Sequence, residues 1–109
     1  MIFETLQDSN ERGELMLVDG GMCHWHLRRD GQLTIREIIV ECGKQGRGIG
    51  ASMLHRLIAE NHNATSLFAK CPTDLPANGW YEAQGFNLEG VETTNSGRQL
   101  NRWRLPIIG

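Results

Sequence analysis

The sequence predicts an α/β domain of the α+β kind: a mixed, mostly antiparallel sheet with two main helices, formed by residues 1–109 as one domain. Three observations predict it. Asp30-Gly31 sits between two apolar arms, and both positions tolerate the positive φ of a tight hairpin turn. A glycine-rich run from Gly43 to Gly50 divides a β-branched strand from a segment whose apolar residues recur with helical period. A second short helical segment ends at Gly85, and two further strands close the chain.

Taken in order, Met1 to Leu6 reads as a short strand, Gln7 to Gly13 as a polar loop, and Glu14 to Val18 as an apolar strand. Met22 to Arg29 and Gln32 to Val40 are the two arms of the hairpin. The second arm ends in Ile38-Ile39-Val40, a β-branched run without alternation, which predicts a strand buried on both faces in mid-sheet. Ile49, Met53, Leu54, Leu57 and Ile58 then form a stripe on a helix running to about Asn61, with His55, Arg56 and Glu60 on its outer face. Ser66 to Cys71 is a short buried strand, followed by a loop from Pro72 to Pro76. Asp74 is placed to cap a helix that carries Pro76 in its first turn, spans about Ala77 to Gln84 and stops at Gly85 as its C′ residue. Phe86 opens the next strand and Asn95 to Gly97 is a turn. Gln99 to Ile107 alternates, with Leu100, Arg102 and Arg104 on one face and Asn101, Trp103 and Leu105 on the other.

Composition narrows the function classes. A chain of 109 residues buries roughly two thirds of its unfolded surface, so no metal or disulfide is required for folding. Eleven basic against thirteen acidic residues give a net charge of -2, which offers no basic excess for a polyanion, and no nucleic-acid partner is expected. No apolar stretch is long enough to span a membrane, and Met1 to Asn10 lacks a signal-peptide pattern, so the expectation is a cytoplasmic protein with no membrane partner. Cys23, Cys42 and Cys71 form no C-x-x-C pair and read as reduced thiols. Cys71 has no identified histidine and acid beside it, which argues against a nucleophile. His24 and His26 share a strand face but lack a third ligand, so no metal is expected. Arg28, Arg29, Arg98, Arg102 and Arg104 fit the lining of a site for an acidic partner, and solvated strand charges explain them equally well.

The glycine run carries the chemistry. A strand, a glycine-rich turn and a helix form a phosphate site, because the helix N-terminus leaves N–H groups unpaired and glycines let the backbone curl around an anion. A Walker A loop is excluded, since Gly50 is followed by Ala51-Ser52 rather than by lysine. The dinucleotide fingerprint also fails: Gly46-Arg47-Gly48 would need glycine at Ala51, and Lys70 stands where the acidic ribose ligand belongs. Gln45-Gly46-Arg47-Gly48-Ile49-Gly50 does satisfy the pattern Q/R-x-x-G-x-G/A.

That hexapeptide, set between Ile38-Ile39-Val40 and the following helix, resembles the acetyl-CoA pyrophosphate loop of the GCN5-related N-acetyltransferase (GNAT) family. Ala77-Asn78-Gly79-Trp80-Tyr81-Glu82-Ala83-Gln84-Gly85-Phe86 is similar to the family's late helix, and the two blocks occur in family order. The resemblance covers about Gln32 to Phe86 and implies an acyl-CoA N-acyltransferase-like fold with a splayed central strand. It implies that Ile38, Ile39 and Val40 offer backbone groups to the pantetheine arm. Gln45, Gly46, Arg47, Gly48, Ile49, Gly50 and Ala51 would cradle the pyrophosphate, with Lys44 adding charge, and Asn78 would hydrogen-bond CoA. Tyr81 would sit near the sulfur and protonate the departing thiolate. Glu37 is the first choice of base for the amine, ahead of His24, His26 and Glu41.

The implied activity is transfer of an acetyl group from acetyl-CoA to an amine acceptor by direct attack in a ternary complex. The alternative is a non-catalytic acyl-CoA-binding or interaction module, with a nucleotide-binding protein as a third option. Most family members begin with a strand and two helices that build much of the acceptor wall, whereas no convincing amphipathic helix precedes Gln32 here. The resemblance therefore implies an N-terminally reduced domain whose acceptor site is open or is completed by a second subunit in a homodimer.

Overall fold

The computed structural model describes residues 14–108, so the strand expected at Met1 to Leu6 and the loop at Gln7 to Gly13 lie outside the described residues. Six strands form one sheet: β1 (Leu15–Val18), β2 (Gly21–Leu27), β3 (Gln32–Val40), β4 (Ser66–Pro72), β5 (Asn87–Thr93) and β6 (Gln99–Pro106), in the order β1-β2-β3-β4-β6-β5. Every pairing is antiparallel except β3 with β4. Parallel neighbours need a crossover, and helix α1 (Ile49–Glu60) supplies it. Helix α2 (Ala77–Ala83) joins β4 to β5.

Alternation places the core on the helix-covered face. Cys23, Leu33, Leu67 and Ala69 point to that face and are fully buried, as are Met53 and Leu57 of α1. The buried residues of α1 are Gly50, Met53, Leu54 and Leu57, which repeat at the spacing of one helical face. Removing a side chain such as Leu57 or Leu67 from water contributes about 1.5–3 kcal/mol. On the opposite face Phe68 is buried beneath Arg102 and Arg104, whose guanidinium groups lie 4.8 and 4.9 Å from its ring centre. Arg102 is paired with Glu92, and Arg104 bonds Glu89, Ser66 and Gln32. These arginines cover an aromatic ring and are not merely solvated charges.

The sheet opens at one point. β3 pairs with β4 only from Gln32↔Ser66 to Ile35↔Ala69, whereas β4 continues against β6 as far as Pro72↔Leu100. On its other side β3 stays paired with β2, but the register jumps from Trp25↔Ile35 to His24↔Glu37 and leaves Arg36 as a bulged extra residue. A bulge bends its strand and increases local twist, and this one lies where β3 leaves β4. The splayed central strand expected from the resemblance is thus present, with a local cause.

Two local expectations are corrected. Ile38-Ile39-Val40 is not buried on both faces: Ile38 and Val40 pack on the core, while Ile39 is 44% exposed on the far side. The strand is central, yet the splay removes its neighbour on one side. Asp74 does not cap α2. Pro76 occupies that position without a side-chain cap bond, and turn bonds lead in from Leu75 N–H to Pro72 and from Asn78 N–H to Leu75. The helix end matches expectation, since Gly85 N–H bonds Glu82 and Phe86 N–H bonds Tyr81 in a Schellman arrangement with Gly85 at φ 96°.

Candidate functional site

The wedge between β3 and β4 is a cleft of about 950 Å³. One wall is Arg36, Glu37, Ile38 and Val40 of β3, and the facing wall is Lys70, Cys71 and Pro72 of β4 with Leu75 and Pro76. Gln45, Gly46, Gly48, Ile49, Gly50 and Ala51 bound one end, and Ala77, Trp80 and Tyr81 of α2, with Gln84 just past its end, complete the described lining. Residues from two sequence blocks, separated by α1 and β4, therefore meet in one concavity.

The loop before α1 has the conformation that an anion cradle requires. Gly46 and Gly48 both have φ 79°, a left-handed backbone that costs any L-residue with a Cβ about 1–2 kcal/mol. A Cβ at either position would meet nothing within 4 Å, so φ, and not crowding by the protein, demands glycine there. Gly48 is the N-cap residue of a twelve-residue helix that has no side-chain cap bond and no acidic residue in its first turn. Its first N–H groups thus point toward the cleft mouth without a carboxylate competing for them, and the helix dipole adds partial positive charge.

Tyr81 is buried, with 6% of its surface exposed, and its ring is held on three sides. Trp80 and Phe86 meet it edge-on at 5.1 and 5.2 Å, and Trp103 lies nearly parallel at 6.3 Å. Its hydroxyl makes no hydrogen bond to any described residue. Burial first, and the neighbouring Cys71 and Cys23 thiols second, push its ionisation far above the usual phenol range. It stays a neutral donor at every working pH. Burial pushes the Cys23 thiol up to about 12, and burial followed by repulsion from Asp74 raises Cys71, so neither is an activated nucleophile.

Of the residues that the sequence singles out, Tyr81, Glu37, Ile38, Val40, Gln45, Gly46, Gly48, Ile49, Gly50 and Ala51 all line the cleft. Ile39 faces away, and Arg47 is exposed at the loop without lining it. Asn78 is not part of the lining: its side chain bonds the carbonyls of Pro72 and Leu75 and accepts from Asn101 and Trp103. The Lys44 ammonium is bound to Asp19 at 3.0 Å and to Glu41 at 3.5 Å, and the Asp19 hydrogen bond holds its ionisation up. His26 is bonded to Glu14 at 3.0 Å, and His24 lies opposite Glu37 across β2 and β3. No group of metal-binding side chains occurs among the described residues.

Trp80 packs against the core and also lines the cleft, and neither this second role nor the β4 wall was anticipated from sequence. The signal for Trp80 was Gly50 itself, where a Cβ would come within 2.7 Å of the indole. Lys70 lines the cleft and is paired with Glu92 at 3.1 Å, which the Arg102 and Lys70 bonds keep below the usual carboxylate range.

No protein-family model and no curated protein sequence matches this chain. Its fold does match solved structures. A protein of Desulfovibrio desulfuricans assigned to the GNAT acetyltransferase family aligns at 20% identity over 94% of this chain and 77% of that one, with a TM-score of 0.77. Ard1 from Thermoplasma volcanium aligns at 15% identity over 99% of this chain and 78% of its own, TM-score 0.79. The microcin C7 self-immunity acetyltransferase MccE, solved with acetyl-CoA and AMP, aligns at 20% identity over 97% of this chain and 68% of its own, TM-score 0.75. The chain therefore has the fold of the GNAT acetyltransferases.

Proposed function

We propose that this chain, built on the GNAT fold, transfers an acetyl group from acetyl-CoA to an amine by direct attack with both substrates bound. The observation that carries the proposal is the meeting in one cleft of the Gly46–Gly50 loop, the N-terminus of α1 and the unbonded Tyr81 hydroxyl. The cradle suits a pyrophosphate, since Gly46 and Gly48 leave open space where a side chain would stand. Acetyl-CoA supplies the acetyl group as an activated thioester.

The chain's own residues divide the work. N–H groups of the loop and of the first turn of α1 hold the anion, with the exposed Arg47 adding charge nearby. The side of β3 that has lost β4 leaves backbone groups around Ile38 and Val40 to bond an extended polar arm. Tyr81 donates a hydrogen bond where negative charge develops on the leaving sulfur, and the same apolar surroundings raise that sulfur's affinity for a proton. Glu37, exposed on the cleft wall, takes a proton from the acceptor's ammonium, so that the neutral amine attacks the thioester carbonyl.

Thiol release measured over small amines, peptide N-termini and lysine peptides tests the proposal, with loss of turnover in Tyr81→Phe as the expected result. One observation favours a second reading, a non-catalytic acyl-CoA-binding module. Glu37 alone among the described lining residues carries a carboxylate, and β4 presents Lys70. Acetyl-CoA binding without turnover on any amine would favour that reading.

A further inference from the structure

We infer that Asn78 is a positioning residue that ties the two working halves of the cleft together: its N–H groups hold the ligand-facing wall, and its oxygen holds the ring behind Tyr81. The inference rests on the acetyltransferase reading of the same cleft. Asn78 Nδ2 donates to the Pro72 and Leu75 carbonyls, both at 2.8 Å. Its Oδ1 accepts from Trp103 Nε1 and Asn101 Nδ2, both at 2.9 Å. An asparagine side chain has two donor hydrogens and two acceptor lone pairs, so every one is in use. An indole nitrogen can only donate, which settles which end of the amide faces Trp103.

The two donated bonds end on residues that line the cleft, and one accepted bond ends on the ring behind its Tyr81. Pro72 and Leu75 line it, and they lie beyond the point where β3 stops supporting β4. The wall there depends on β6 and on Asn78. Trp103 is the ring stacked at 19° on Tyr81, and it comes from β6, twenty-five residues from Asn78 in sequence. The donors of Asn78 therefore bear on ligand binding and its acceptor on the placement of the phenol.

Two substitutions separate these roles. Asn78→Asp keeps the acceptor for Trp103 and Asn101 but replaces both donors with an oxygen facing two carbonyls. Trp103→Phe keeps an aromatic ring behind Tyr81 and deletes the indole N–H. The expected result for Asn78→Asp is acetyl-CoA binding weakened about tenfold, with kcat within about twofold of the parent, the scale set by one to two lost hydrogen bonds. Trp103→Phe is expected to lower kcat about fivefold with the acetyl-CoA Kd unchanged, on the scale of one lost hydrogen bond. Leu57→Val, a core change remote from this network, serves as the control for general destabilisation. Parental Kd and kcat in both variants would overturn the inference, as would parallel changes in Kd and kcat that match the control. Where Asn78→Asp does not fold, Trp103→Phe decides, because it keeps an aromatic ring behind Tyr81 and its lost volume is judged against the Leu57→Val control. A parent chain that binds no acetyl-CoA would instead contradict the acetyltransferase reading. The hub is then judged by the Trp103 indole N–H resonance, which Asn78→Leu must shift and Asn78→Asp must leave near its place; any other pattern overturns it.

Discussion

Gly50 and Gly79 are both helical glycines, and alanine has opposite effects at the two sites. At Gly50 a Cβ would stand 2.7 Å from Trp80 Cζ2 and 3.3 Å from Cε2, about 0.7 Å short of ordinary contact with the nearer atom. The atom it meets belongs to a wide, rigid indole packed against Tyr81, so it cannot yield as a flexible chain end would. Overpacking of this kind costs about 1–3 kcal/mol. Alanine's better helix propensity returns up to about 1 kcal/mol, leaving Gly50→Ala destabilised by about 0–3 kcal/mol. Gly79 is exposed in α2 and a Cβ there meets nothing within 4 Å, so Gly79→Ala gains about 0.5–1 kcal/mol. Urea unfolding of the two variants reads the difference as opposite shifts in midpoint at constant slope. Acetyl-CoA binding adds a second reading, since a displaced Trp80 narrows the cleft it lines, whereas Gly79 lines nothing. A Gly50→Ala chain as stable as Gly79→Ala, with parental acetyl-CoA affinity, would refute the claim that Gly50 exists to admit Trp80.

Three further outcomes follow from the site. Tyr81→Phe removes a hydroxyl that bonds no described residue, so urea unfolding should show stability within about 1 kcal/mol of the parent, while thiol release falls about a hundredfold. Gly48→Ala must hold alanine at φ 79° and should cost about 1–2 kcal/mol in unfolding experiments, with weaker acetyl-CoA binding by calorimetry because the first N–H groups of α1 are re-aimed. Alkaline stability should fall. Cys23, Cys71 and Tyr81 keep their protons in the folded chain at pH values where the unfolded chain loses them, so their contribution is complete below an unfolded thiol pKa of 9.0. It declines as pH rises from there toward about 12, the folded value of Cys23. Urea midpoints measured across that range should drop in the parent and drop less steeply in Cys23→Ala; equal slopes would contradict the burial account.

Local chemistry made much of this fold legible. The α1 stripe, the Asp30-Gly31 hairpin and the Gly85 stop depend on residues within a few positions of one another, and each element appears within one to three residues of its expected ends. The glycine loop was readable for the same reason, because a left-handed backbone is written directly as glycine. What escaped depends on partners distant in sequence. The bulge at Arg36 exists only relative to β2, so the run Ile38-Ile39-Val40 looked continuous although Arg36 shifts the strand's register just before it. Asn78 sits inside a ligand-binding motif by sequence, yet its partners Asn101 and Trp103 arrive from β6 and turn its side chain inward. Asp74 had the right residue type and spacing for a cap, but the turn from Pro72 to Pro76 starts the helix later, at Ala77.

The central claim is that the cleft between β3 and β4 binds acetyl-CoA with its pyrophosphate on the Gly46–Gly50 loop. Titrating acetyl-CoA into ¹⁵N-labelled protein while following the backbone amide resonances tests it most directly. The account predicts the largest shifts at the amides of Gly46 to Ala51 and of Ile38 to Val40, with much smaller shifts for ATP or NAD at equal concentration. Loop amides that do not move with acetyl-CoA, or that move equally with ATP or NAD, would contradict it.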